Sequence, residues 1–284
     1  MNAAPTDLQA NRNFAVLSVI IMLMGATFLA LLIPALNQAR LGLADRLATA
    51  GQQATAGQQT AGTEAQADYQ LAAWLNPNNH QVQLMLARQQ LAAGQSDAAL
   101  KHLGRAGSSR DVARLKLQTY IELGQTTAAA EAATELAQAP GTPPSDLLLA
   151  CLAYATAARP GDCTPLTARV SDSEALQRMQ RAQVGKIPLA AELYATGLLK
   201  SSNAILAKEP TSFERNLLLG RINYQLHTAA ALETAHDYLT EAVQLDPSSI
   251  AAHQLLTAVA KDTGRATEAS NQENLASKLI AGRP

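Results

Sequence analysis

The chain has 284 residues, enough for one long or two ordinary domains with a sizeable core. A net charge of −1 gives no broad basic field, which argues against nucleic acid as a partner. With 4% aromatic and 16% charged residues, and alanine and leucine dominant, the composition argues against a β-sandwich and for closely packed helices. Two cysteines exclude a disulfide-rich miniprotein and leave room for one bridge.

Residues 1–13 are a polar leader containing Asp7 and Arg12. Residues 14–36 carry no charge at all. At about 1.5 Å of rise per residue such a run crosses a hydrocarbon layer of about 30 Å, and it reads as a single transmembrane helix. The alternatives are a buried core helix, which at this length would show a polar stripe, and a cleaved signal peptide, whose apolar region is usually about 7 to 15 residues. Ala35 to Ala39 offers only a weak small-x-small cleavage site. Arg40 and Arg46 follow the run and Arg12 precedes it, a count that by itself does not favour an exported domain. Long domains are translocated largely regardless of flanking charge, and the reading leans to a C-terminal domain outside the cytoplasm, periplasmic or at the cell surface.

Residues 37–64 are rich in alanine, glutamine and glycine, with a local duplication of Gly51-Gln-Gln and Gly57-Gln-Gln. They read either as a flexible linker or as an extension of helix. From 65 to 284 the pattern becomes periodic. Ala235, Leu239, Ala242 and Pro247 repeat an arrangement seen upstream as Ala65, Tyr69, Ala72 and Pro77: small, apolar, small, then a proline that ends the helix. Helix-turn-helix segments open at His80, Arg110, Phe213 and Ile250, with Gly94, Gly124 and Gly264 as turns, in a frame of about 34 residues. The turn after Phe213 is about three residues longer than the frame allows. Residues 171–210 fit poorly; there Ser171-Asp-Ser-Glu174 reads as a capping box and Pro188 as a helix start.

These positions resemble the tetratricopeptide repeat (TPR) family, although the family's tryptophan is missing from its usual place and Trp74 falls late on a second helix. The resemblance implies an α-solenoid, in which small residues let paired helices approach to about 8 Å; together with the apolar run the expected fold is all-α, a transmembrane helix followed by that solenoid. It also implies protein partners bound on a concave face. Putting Tyr154 in phase with Tyr120 starts a further repeat near Pro144. Cys151 and Cys163 then fall on facing small positions, close enough for a disulfide if the domain is exported; in a reducing compartment they would be buried thiols.

On the first helices of the repeats, Gln81, Arg88, Arg114, Gln118, Glu214 and Arg221 project toward the expected concave side. The three arginines suit a carboxylate or an acidic peptide, and equally suit an ordinary solvated helix face. His80, His102, His227, His236 and His253 show no metal spacing, and no phosphate loop or nucleophile elbow is found. No cofactor, small-molecule substrate or enzymatic activity is expected. Three functional readings follow: a membrane-anchored scaffold in assembly of an envelope or membrane complex, a permanent subunit of such a complex or of a surface filament, and a docking receptor facing the cytosol.

Overall fold

A computed structural model describes residues 36–50 and 62–282, and every regular element among them is helical. Apart from Leu36, the apolar run 14–36 lies outside the described residues. No helix among the described residues is long and apolar enough to cross a membrane. The chain divides into two compact units, one ending at Gly107 and one beginning at Ser108.

The first unit contains α1 (36–50), α2 (Gly62–Leu75), α3 (His80–Ala92) and α4 (Ser96–Arg105). Part of the segment that reads as linker or helix is thus a helix, and one that packs. Ala44 is buried, and Ala48 joins Tyr69, Ala72, Val82 and Leu86 in one core. Asn79 starts α3 by accepting the backbone N–H groups of Gln81 and Val82, and its amide donates to Asp45 Oδ1 on α1 at 3.1 Å. Ala87 and Ala99 are fully buried, as the small-residue frame requires. The side chain of Ala65 lies outside the described residues.

The second unit opens with α5 (Arg110–Glu122), α6 (Thr126–Gln138) and α7 (Pro144–Thr156). A 3-10 turn (Pro160–Cys163) and the one-turn α8 (Thr164–Thr167) then stand where a full second helix would be expected. There follow α9 (Ser173–Val184), α10 (Lys186–Ala195), α11 (Leu199–Leu206), α12 (Phe213–Leu226), α13 (Ala229–Leu245), α14 (Ile250–Asp262) and α15 (Ala266–Ala281). Helices pair in sequence order as α5 with α6, α10 with α11, α12 with α13 and α14 with α15. His80, Arg110, Pro144, Phe213 and Ile250, the expected starts, are each the first residue of a helix. Three hairpins turn on Gly94, Gly124 and Gly264, all at positive φ, a conformation that β-carbons disfavour.

α7 is the centre of the second unit: every residue from Asp146 to Ala155 is buried. It packs against α5, α6, α9 and α10, which explains a sequence that is apolar all round rather than along one stripe. One detail differs from the capping box read at Ser171. The cap of α9 is Asp172, whose carboxylate accepts the N–H groups of Glu174 at 2.9 Å and Ala175 at 3.2 Å. A carboxylate at this place also opposes the positive end of the helix dipole, which serine cannot do.

Candidate protein-binding surface

Gln81 and Arg88 stand in the first unit, both exposed and seven residues apart on one face of α3. The other four belong to the second unit. Arg114 is half-exposed on α5 and lies 3.1 Å from Asp111 and 4.0 Å from the buried Asp146 of α7. Arg110 approaches the same Asp146 at 3.8 Å. Burial pushes the Asp146 carboxyl above the usual carboxylate range, while these two guanidinium groups pull it back. Gln118, one turn further along α5, is half-buried. Glu214 and Arg221 are both exposed and seven residues apart on α12.

Arg221 lines a cavity of the second unit. Its space of about 370 Å³ is walled by Tyr194 of α10, Arg221, Tyr224 and Gln225 of α12, and Leu255 of α14. His227 is also in the wall; it caps α12 with φ of 50° and sets its ring edge-to-face on Tyr224, centroids 6.0 Å apart. Burial and the neighbouring Asp262, which accepts a hydrogen bond from the phenol, push the Tyr224 pKa up. The phenol therefore remains a donor in ordinary buffers. Two tyrosines and an arginine around one concavity are residue types enriched among the few that carry binding energy at protein interfaces.

A second cavity, of about 260 Å³, lies between the ends of α5 and α7 and the helices α10 and α11. Ile121, Thr156, Lys186, Ser201, Ile205 and Lys208 are among its walls. Two of these walls are tied together by Ser201, whose buried hydroxyl donates to the Ile121 carbonyl at 2.6 Å. Among the described residues no cluster of His, Cys, Asp or Glu is arranged to hold a metal ion.

Cys151 of α7 and Cys163 of the 3-10 turn sit where the repeat frame places them, fully buried, with Cα atoms 4.8 Å apart and sulfurs at bonding distance. Gln183 of α9 reaches over them, its amide donating to the Met179 carbonyl at 2.9 Å and lying 3.3 Å from the Cys163 sulfur. The pair holds the turn to α7 at the point where a regular second helix is missing.

A recurring polar tie has no signature in the sequence pattern. In the first unit Gln83 donates to the Pro77 carbonyl at 3.0 Å and its Oε1 meets His102 Nδ1 at 2.8 Å. In the second, His253 Nε2 donates to the Pro247 carbonyl at 2.9 Å and its Nδ1 lies 2.6 Å from Gln272 Oε1. Each tie links the turn before a hairpin, its first helix and its second. Asn216, fully buried at the corresponding place on α12, donates to Glu241 at 2.7 Å.

Helix pairs in sequence order, glycine turns and buried alanine contacts define the class: an all-α, TPR-like helical-repeat protein. No protein-family model matches the chain, and no curated protein does. Solved structures similar to it include PilF of Pseudomonas aeruginosa, at 15% identity and a TM-score of 0.41 over 75% of this chain and 96% of that one. A thermophilic TPR protein of Thermus thermophilus is 20% identical, with a TM-score of 0.27 over 72% and 92% of the two chains. Yeast Tom70 is 15% identical, with a TM-score of 0.36 over 86% of this chain and 51% of that one.

Proposed function

We propose that this chain is a membrane-anchored scaffold whose TPR-like hairpins bind another protein outside the cytoplasm, in assembly of an envelope or membrane complex. The observation that carries the binding role is the cavity shared by α10, α12 and α14, where Arg221 stands among Tyr194, Tyr224 and Leu255. An extended or helical segment bearing a carboxylate fits that chemistry: the guanidinium takes the charge in paired hydrogen bonds and the rings cover apolar neighbours. The uncharged run 14–36 supports the anchor, which would confine the search for a partner to the membrane surface. The cysteine pair at bonding distance supports an oxidising compartment.

Crosslinking of the full-length protein in its native membrane, with a photoreactive residue in place of Gln225, is expected to capture a partner. Arg221→Ala with Tyr224→Ala should abolish that crosslink. Full capture by the doubly substituted protein would remove the groove assignment, and a reporter fused after Pro284 that is active only in the cytoplasm would remove the compartment.

A further inference from the structure

Nine large hydrophobic residues are exposed among the described residues, and four of them, Leu36, Leu43, Leu71 and Trp74, belong to α1 and α2. Leu36 and Leu43 lie seven residues apart, one stripe along α1. Leu71 and Trp74 lie three apart, one stripe along α2, and Trp74 is 76% exposed. The opposite sides of both helices are already occupied, Ala44 and Ala48 on α1 and Tyr69 and Ala72 on α2 being buried. Core packing therefore leaves both stripes uncovered.

Two observations say what covers them. The chain preceding α1 is the uncharged run that begins at Phe14, and its last residue is Leu36, the first leucine of the α1 stripe. Exposed Arg40 and Arg46 flank Leu43 three residues to either side, so leucine and arginine alternate on that face of α1. This is the pattern of a helix at a lipid surface, with leucine entering the boundary layer while arginine extends to phosphate. The Asn79–Asp45 hydrogen bond places the turn that follows α2 beside the second half of α1. At about 1.5 Å per residue, that is about 14 Å along α1 from Leu36. An α1 inclined toward the membrane plane brings Leu43, Leu71 and Trp74 to the headgroup layer, where tryptophan is favoured.

We infer that the two stripes of the first unit rest on the lipid surface beside the anchor, with Arg40 and Arg46 on anionic headgroups. The inference rests on the anchor reading and adds that α1 and α2 lie against the bilayer rather than standing away from it. Trp74 is the only tryptophan of the chain, so its emission reports this contact without labelling. The full-length protein is reconstituted into phosphatidylcholine vesicles containing phosphatidylglycerol, with and without brominated acyl chains, and flotation confirms that it stays with the lipid. Trp74 emission is expected to be quenched, more by bromines near the headgroups than by bromines near the chain ends. Leu43→Glu with Leu71→Glu should release that quenching while flotation persists. Emission equal in brominated and plain vesicles, in protein that floats, overturns the inference and leaves the anchor standing. The same holds if Trp74 is shielded from acrylamide yet untouched by bromine, because a protein then covers it. Failure to float removes the anchor reading and this one with it.

Discussion

Gly220 of α12 stands so close to Leu239 of α13 that a methyl group on its Cα would lie 2.6 Å from Leu239 Cγ and Cδ2. Both residues are buried, and Leu239 fills the space between Ala235 and Ala242 on the facing helix. Gly220→Ala gains helix propensity but forces α12 and α13 apart or drives Leu239 off its rotamer. The expected net effect is a loss of about 1–3 kcal/mol in urea unfolding. In a Leu239→Ala background, itself destabilised, the Gly220→Ala step should cost less because the clashing side chain is gone. Gly220→Ala as stable as the parent would show that the helices do not need this approach.

The polar ties of the two units exchange their members. Pro77, Gln83 and His102 recur 170 residues later as Pro247, His253 and Gln272, five steps of about 34, with glutamine and histidine in swapped places. Gln83→His combined with His102→Gln is therefore expected to preserve the α3–α4 hairpin, whereas His102→Ala alone should cost about 1–2 kcal/mol by orphaning the Gln83 carbonyl. Burial, and the charge of Arg105 beside it, hold the His102 pKa below its ordinary value of 6.5. A lowered folded pKa means that the stabilisation is complete above pH 6.5 and is lost as pH falls through the folded value. Amide exchange of α3 and α4 in the full chain, corrected for the intrinsic rate, should accelerate on acidification, and the swapped variant bears a different dependence.

The sequence reveals the repeat frame because its signals are local and steric: a proline that cannot continue a helix, glycines that take positive φ, alanines where helices touch. His80, Phe213 and Ile250 were legible as helix starts for that reason. The polar ties escaped the same reading because Gln83 and His253 are chemically different residues doing one job, and only the hydrogen bonds to Pro77 and Pro247 make them equivalent. Arg221 was legible as a projecting charge, but its setting between Tyr194 and Leu255 depends on packing among α10, α12 and α14. In residues 171–210 no small-residue frame announces α11, which is held by Ser201 reaching Ile121 eighty positions earlier.

Glu122, at the end of α5, faces the backbone N–H groups of Ser201 and Lys200 that open α11, a helix with no side-chain cap of its own. Burial pushes its pKa up, against the pull of those N–H groups and of the Lys200 charge, and its buried Oε2 has no hydrogen-bond partner. The sign is opposite to that of His102. A raised folded pKa gives stabilisation that is complete below the ordinary value of 4.5 and lost as pH rises through the folded value. Protection of α11 should therefore strengthen as the solution is acidified toward that range. Glu122→Gln, which stays neutral at every pH, is expected to flatten the dependence and to change stability at neutral pH by about 1 kcal/mol or less. An α11 whose protection still strengthens on acidification in the variant would assign the effect to another group.

Cys151 and Cys163 close a loop of twelve residues around Pro160. A crosslink of that span removes conformational freedom from the unfolded chain, and its stabilising effect is about 2–3 kcal/mol. Local consequences should exceed the global one, because the 3-10 turn and α8 together are too short to be stable as helix without an external tie. Reduction, or Cys151→Ala with Cys163→Ala, is expected to lower the unfolding midpoint and to raise amide exchange first between 160 and 170. α7 itself, clasped by α5, α6, α9 and α10, should follow only at global unfolding. Mass spectrometry after alkylation under native and then denaturing conditions checks the premise directly: protein isolated from its native source without reductant should take up no alkyl group at either sulfur, and two modified thiols would show the pair to be reduced in place.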